Sequence, residues 1–267
     1  MVAGARAILV DMDGVLYQGE QAIPGACEAL DWLAANKIPH LFVTNTTSRP
    51  RSALIEKLSQ FNIQIDARQI LTPPVAATRW LKSHVDGPVA LFVPHNTLAE
   101  FEHLEIVDRS TNAPVAAVVI GDYGECWTFE ALNRAFRWLM QEPKPVLVAL
   151  GMTRYWRAED GLRLDTAPFV VALEYATSQK AVVMGKPAAA FYEAALGQLG
   201  ASAYETIMIG DDIRGDIDGA QILGIRGLLV KTGKFRSEDL THGIQPTAIL
   251  ESFADLPLWW QNHAVAV

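Results

Sequence analysis

Asp11 and Asp13 stand directly behind the apolar run Ala7-Ile8-Leu9-Val10, separated by a single residue. Two like charges where a buried strand surfaces are unfavourable unless a cation or a proton offsets their repulsion. A carboxylate can attack phosphorus and form an acyl phosphate, dividing one difficult displacement into two easier ones. Asp11 suits that nucleophilic role. Asp13 can protonate the leaving oxygen and later deprotonate water. Turn chemistry is the competing explanation, because Asp and Gly are common where strands end.

Three further apolar runs end in polar groups of use to phosphate chemistry. Leu41-Phe42-Val43 leads into Thr44-Asn45-Thr46, Val182-Val183-Met184-Gly185 into Lys186-Pro187, and Ile207-Met208-Ile209-Gly210 into Asp211-Asp212. Thr44 and Asn45, with Thr46 beside them, can hydrogen-bond the non-bridging oxygens of a phosphate, and Lys186 supplies positive charge. Asp211 can complete an all-oxygen octahedron with Asp11, a backbone carbonyl, waters and the phosphate, a donor set suited to Mg²⁺. Asp212 and Asp216 then stand behind these groups and orient Asp211 or Lys186. Each ending alone is ordinary turn, cap or loop chemistry. Together they argue for one site, which in open α/β sheets forms outside the carboxyl ends of the strands.

The elements that must position these groups alternate between short apolar runs and segments of helical period, the pattern of a parallel sheet covered by helices. Strands are expected at Ala7–Val10, His40–Val43, Val89–Val93, Val115–Ile120, Val146–Leu150, Ala181–Met184, Thr206–Ile209 and Gly227–Val230. Between them, Ala26, Leu30 and Leu33 share one helical face. Pro50 opens a helix through Leu54 and Leu58, Thr72 N-caps another, and Phe129, Leu132, Phe136 and Leu139 mark a third face. Helices are also expected at Ala188–Leu199 and Ile217–Leu223, and Trp259-Trp260 seats a last one. About ten strands approach the practical limit of one open sheet. The expected fold is therefore a doubly wound, Rossmann-like α/β core carrying an inserted α/β domain.

With 22 Lys plus Arg against 30 Asp plus Glu, the net charge of −8 disfavours a nucleic-acid partner. Cys27 and Cys126 form no metal or disulfide pattern, which suits a reducing cytoplasm. The first ten residues lack the pattern of a signal peptide, and no apolar stretch reaches the length of a membrane span. His40, His84, His95, His103, His242 and His263 show no paired ligand spacing.

In the order and spacing of its four motifs, the chain resembles the haloacid dehalogenase-like hydrolase superfamily, most of whose members are Mg²⁺-dependent phosphatases. Asp11-Met12-Asp13-Gly14-Val15-Leu16 resembles the first motif, Thr44-Asn45 the second, Lys186 the third, and Gly210-Asp211-Asp212 with Asp216 the fourth. The long insert resembles the α/β cap of the type IIA, NagD-like subfamily. Gly161-Leu162, Ala172-Leu173-Glu174-Tyr175-Ala176 and Val230-Lys231-Thr232-Gly233-Lys234-Phe235 resemble its branch of phospholysine phosphohistidine inorganic pyrophosphate phosphatases.

The resemblance implies a core of residues 1–77 plus 179–267 and a cap of residues 78–178. It implies Mg²⁺ held by the Asp11 carboxylate, the Asp13 backbone carbonyl and the Asp211 carboxylate. A flap at Val15–Pro24, a small phosphorylated metabolite as substrate and a homodimer through the cap are implied as well. Cap loops at Gly121–Trp127 and Gly151–Gly161 offer Asp122, Tyr123, Glu125, Arg154, Tyr155, Trp156 and Arg157 to substrate, while Tyr155 and Trp156 equally suit packing of the cap or a dimer seam. Two other readings stay open: a phosphoaspartate signalling domain, and a mutase or phosphonate hydrolase on the same scaffold.

Overall fold

The computed structural model describes residues 4–158, 160–241 and 243–263. The chain divides into two compact units. One comprises Met1–Thr44, Arg51–Leu71 and Lys186–Val267, and the other Asn45–Pro50 and Thr72–Gly185.

The first unit is built on β1 (Ala7–Asp11), β4 (His40–Val43), β5 (Ile70–Leu71), β12 (Thr206–Gly210), β13 (Arg226–Val230) and β14 (Ala248–Leu250), numbered in chain order with β2 (Tyr17–Gln18) and β3 (Gln21–Ala22) forming a separate hairpin. The six form one sheet in the order β14-β13-β12-β1-β4-β5, and every pairing is parallel. All five residues of β1 are buried, as expected of a strand covered on both faces. The chain leaves β1 towards β4 and β5, then returns to pair β12 with the other edge of β1. That reversal makes the carboxyl ends of β1 and β12 the switch point where ligands gather in such sheets.

The periodicities that predict the helices are realised here. Ala26–Ala35 buries Ala26, Ala29 and Leu33, and Arg51–Gln60 buries Leu54 and Leu58. These side chains join Ile8, Val10, Phe42, Ile209 and Leu228 in one apolar cluster. The expected helix at Ile217–Leu223 takes another form: Ile213–Asp218 is a π-helical turn, and only Gly219–Ile222 is α-helical. The last helix, Leu256–His263, is seated by Leu256 and Trp259 as expected.

The second unit carries β6 (Val89–Phe92), β7 (Ala117–Ile120), β8 (Val146–Ala149) and β11 (Val182–Val183) in a parallel sheet of order β11-β8-β7-β6, with an antiparallel hairpin of β9 (Tyr155–Ala158) and β10 (Gly161–Leu164). Thr72 caps the helix Pro73–His84 and Thr128 caps Phe129–Leu139, each hydroxyl accepting from the N–H three residues on. The expected face of the latter helix holds only in part. Phe129, in its first turn, is 84% exposed, and the helix instead buries Ala135, Trp138 and Leu139. Trp127 stacks between Phe92 and Phe169, with ring centroids at 5.4 and 4.6 Å.

Candidate active site

At the end of β1 the chain turns sharply: the Met12 carbonyl accepts from the N–H groups of Val15, Leu16 and Tyr17, and Gly14 N–H donates to the Tyr17 carbonyl. Asp11 is thereby left on the buried strand end, and Asp13 stands exposed in the turn. The segment that the resemblance makes a flap is rooted by buried Val15, Leu16 and Tyr17. The Tyr17 ring stacks on Phe61 with centroids 5.7 Å apart and lies under the Lys57 ammonium.

Lys186 is 8% exposed, and its Nζ donates to Asp11 Oδ1 at 2.5 Å and to Asp216 Oδ1 at 2.6 Å. Burial pulls the ammonium pKa down, but the two carboxylates more than offset this and hold it above its ordinary value. Asp216 reaches Lys186 because the π-helical turn brings it back towards Gly210, and its Oδ2 accepts from Asp212 N–H at 3.1 Å. From below, the buried Tyr192 hydroxyl donates to the carbonyls of Gly215 and Asp216. Burial, together with the charge of Asp11, pushes Asp216 up to about 6 against the pull of Lys186.

Asp211 follows β12 and is 1% exposed. Its Oδ2 accepts from Lys234 N–H at 2.7 Å, while its Oδ1 has no hydrogen-bond partner. Burial first, and then the nearby charge of Asp11, push its carboxyl up to about 7. Ligand atoms of Asp11, Asp211 and Asp216 all lie within 4.8 Å of one another, the one such cluster among the described residues. Asp212 is different: burial raises it, yet N–H donors from Gly215 and Arg214 and the Lys234 ammonium hold it below the ordinary carboxylate value.

The structure thus brings Asp11, Lys186, Asp211, Asp212 and Asp216 together. Thr44 is buried at the end of β4, where its N–H donates to the Leu71 carbonyl. Asn45 and Thr46 open the segment that belongs to the second unit. One expectation needs correction. The strand before Lys186 pairs with β8 in the second unit rather than joining the core sheet, so Lys186 is the first core residue after the chain crosses back. The histidines take no part in the acidic cluster, and His242 lies outside the described residues.

Thr232, Gly233 and Lys234 carry part of the family resemblance but received no role in the site, although the rule about strand endings applies to them. The run Gly227–Val230 is recognisable as a strand, and these residues follow it. Tyr192 gave no signal, because an aromatic residue on a helix face reads as core.

A parallel sheet with an acidic switch point and a buried lysine defines a class, and sequence comparison agrees. The haloacid dehalogenase-like hydrolase family matches residues 8–107, and a second, HAD-hydrolase-like profile matches residues 183–256. The chain belongs to the haloacid dehalogenase-like hydrolase family. It is 39% identical to the human phospholysine phosphohistidine inorganic pyrophosphate phosphatase over 90% of this chain and 88% of that protein. It is 42% identical to haloacid dehalogenase-like hydrolase domain-containing protein 2 of Bos taurus over 88% and 87%. Among solved structures, a p-nitrophenyl phosphatase from Archaeoglobus fulgidus superposes with a TM-score of 0.84 at 27% identity, covering 94% of this chain and 98% of that one.

Proposed function

We propose that this hydrolase is a Mg²⁺-dependent phosphatase. It would cleave a phosphate monoester, pyrophosphate or an N-phosphorylated amino acid through an aspartyl phosphate on Asp11. The observation that carries this reading is the buried Lys186 ammonium bridging Asp11 and Asp216 beside an Asp211 oxygen that accepts no hydrogen bond. The donor set fits the ion: four carboxylates, Asp11, Asp211, Asp212 and Asp216, face the ammoniums of Lys186 and Lys234, and a divalent cation balances the remainder. Asp11, the Asp13 carbonyl and Asp211 would hold it. Asp216 has both oxygens engaged and stands behind them. When bound, Mg²⁺ supplies positive charge to the phosphoryl oxygens.

In the first step an Asp11 carboxylate oxygen bonds to phosphorus while the bond to the leaving oxygen or nitrogen breaks, and Asp13 gives the leaving atom its proton. In the second step Asp13 takes a proton from water, the water oxygen bonds to phosphorus, and the Asp11–phosphorus bond breaks to release phosphate. Lys186, bonded to Asp11 Oδ1, holds that carboxylate in position for attack, and Thr44, Asn45 and Thr46 would bind the phosphoryl oxygens. The acidic exposed position of Asp13 supports turnover rather than a stored phosphoaspartate. Incubation with 4-nitrophenyl phosphate and Mg²⁺ should release phosphate, and EDTA should stop it. Release that persists in Asp11→Asn would exclude the mechanism.

We further read residues 1–77 with 179–267 as the catalytic core and 78–178 as a substrate-selecting cap, with the compact units supporting borders nearer 72 and 185. The hairpin of β9 and β10 supports a homodimer seam, since Tyr155, Leu162 and Leu164 are 53%, 63% and 62% exposed instead of packing the cap. The free state of Cys27 and Cys126 supports a place in the cytoplasm; separately, no helix among the described residues is long and apolar enough to cross a membrane.

A further inference from the structure

The steps above use the endings of β1, β4, β11 and β12 and leave that of β13 without a task. After β13 the chain passes through Lys231, Thr232, Gly233 and Lys234 and packs against the β1 turn, Gly233 beside Gly14. The Thr232 hydroxyl donates to the Gly14 carbonyl, joining the two turns. Gly14, at φ 83°, and Gly233, at φ 65°, both lie against Asp211, and a Cβ on either would overlap its Oδ2. Oδ2 of Asp211 therefore rests against the adjoining bare main chain of Gly14 and Gly233 and accepts from Lys234 N–H.

We propose that the turn Thr232–Gly233–Lys234 is a positioning element for Asp211, and that its main chain grips Oδ2 so that Oδ1 is presented to the divalent cation. The inference rests on the reading of this site as a Mg²⁺ site. A carboxylate turns easily about its last torsion, which is broad. A short charge-assisted bond to one oxygen, with the backbone of Gly14 and Gly233 packed against that same oxygen, removes that freedom. Groups that orient a ligand in this way commonly set affinity for the metal. The Lys234 ammonium acts differently: it lies 3.6 Å from Asp212 Oδ2 on a side chain that is 68% exposed, and contributes charge at the rim.

The test is calorimetric titration of the purified chain with MgCl₂, with metal-free melting temperatures alongside. Gly233→Ala should lose affinity for Mg²⁺ on the order of 10- to 100-fold, and saturating Mg²⁺ should restore its kcat on 4-nitrophenyl phosphate with KM unchanged. Thr232→Val should lose about two- to tenfold. Lys234→Ala keeps its N–H and loses a positive charge, so its affinity should stay the same or rise. Wild-type affinity in Gly233→Ala overturns the proposal, and so does a loss in Lys234→Ala, which would assign the effect to the ammonium. Should Gly233→Ala fail to fold, Thr232→Val decides, and unchanged affinity there overturns the grip. A wild-type chain that binds no Mg²⁺ overturns the site reading and the grip together, before any variant is made.

Discussion

The two parallel sheets of this chain share an architecture and differ in what they bury at their carboxyl ends. In the first unit, β1 and β12 run out into Asp11 and Asp211, and Lys186 and Asp216 join them, all four at most 8% exposed. In the second unit, β6, β7 and β8 run out into Val93, Gly121 and Leu150, all buried and without charge. Ion pairs of this unit such as Arg163 with Asp160 and with Glu125 lie on the surface. Ionised groups are expensive to bury, and an apolar filling of equal volume is often the more stable choice. The comparison teaches that parallel strand ends alone do not make a site: the order β11-β8-β7-β6 has no reversal, whereas chemistry is found at the β1/β12 switch point, where the chain gives up stability to keep charge inside.

The contrast can be broken most severely at Asp11. Asp11→Asn should abolish turnover, because no neighbouring group can replace the attacking carboxylate, and a steady-state assay with 4-nitrophenyl phosphate checks it. Next, Lys186→Met should lower kcat by roughly 10²- to 10³-fold while leaving the protein folded, as judged by circular dichroism. Saturating Mg²⁺ should then raise the melting temperature by about 5 to 10 °C, through preferential binding to the folded chain. Asp211→Asn should remove that rise and make the metal-free protein more stable than wild type, since repulsion is relieved. A melting temperature indifferent to Mg²⁺ would erase the distinction between the two sheets.

The smallest effect belongs to the second unit. Asp122 is half-buried after β7, and burial, with Asp165 nearby, holds its carboxyl above the ordinary value. A raised folded-state pKa means that the unfolded chain ionises first as pH rises. The stability present below the ordinary carboxylate value is therefore lost as pH climbs through the folded value. Asp122→Asn should consequently raise the melting temperature at pH 7 by roughly 1 to 2 °C and leave it unchanged near pH 3. A drop in kcat instead would give the second sheet a share in the chemistry.

Much of this was legible in the sequence because burial and charge leave distinct marks there. The uninterrupted apolar run Ala7–Val10 marks a doubly covered strand, and the acids behind it mark its exposed end. Thr72 announces its helix by standing before it as a cap. β5, two residues long, and β14, three, are too short for any periodicity to register. The hairpin Tyr155–Leu164 escaped notice because neither face is buried, so no alternation is imposed on it. Lys186 was placed in the site but on the wrong sheet, since an apolar run says that a strand exists and nothing about its neighbour. The grip on Asp211 depends on backbone N–H and missing Cβ atoms, which appear in sequence only as two glycines.

The discontinuity of the first unit bears on how the protein is made. β1 occupies the middle of its sheet, and its partner β12 leaves the ribosome about two hundred residues later. The second unit, nearly continuous between residues 72 and 185, can finish folding on the nascent chain while β1 waits with one edge unpaired. Closing so long a loop makes completion of the first sheet the late and slow event of biogenesis. Catalytic competence therefore arrives only with the last third of the chain, when Asp211 and the turn that holds it dock beside Asp11.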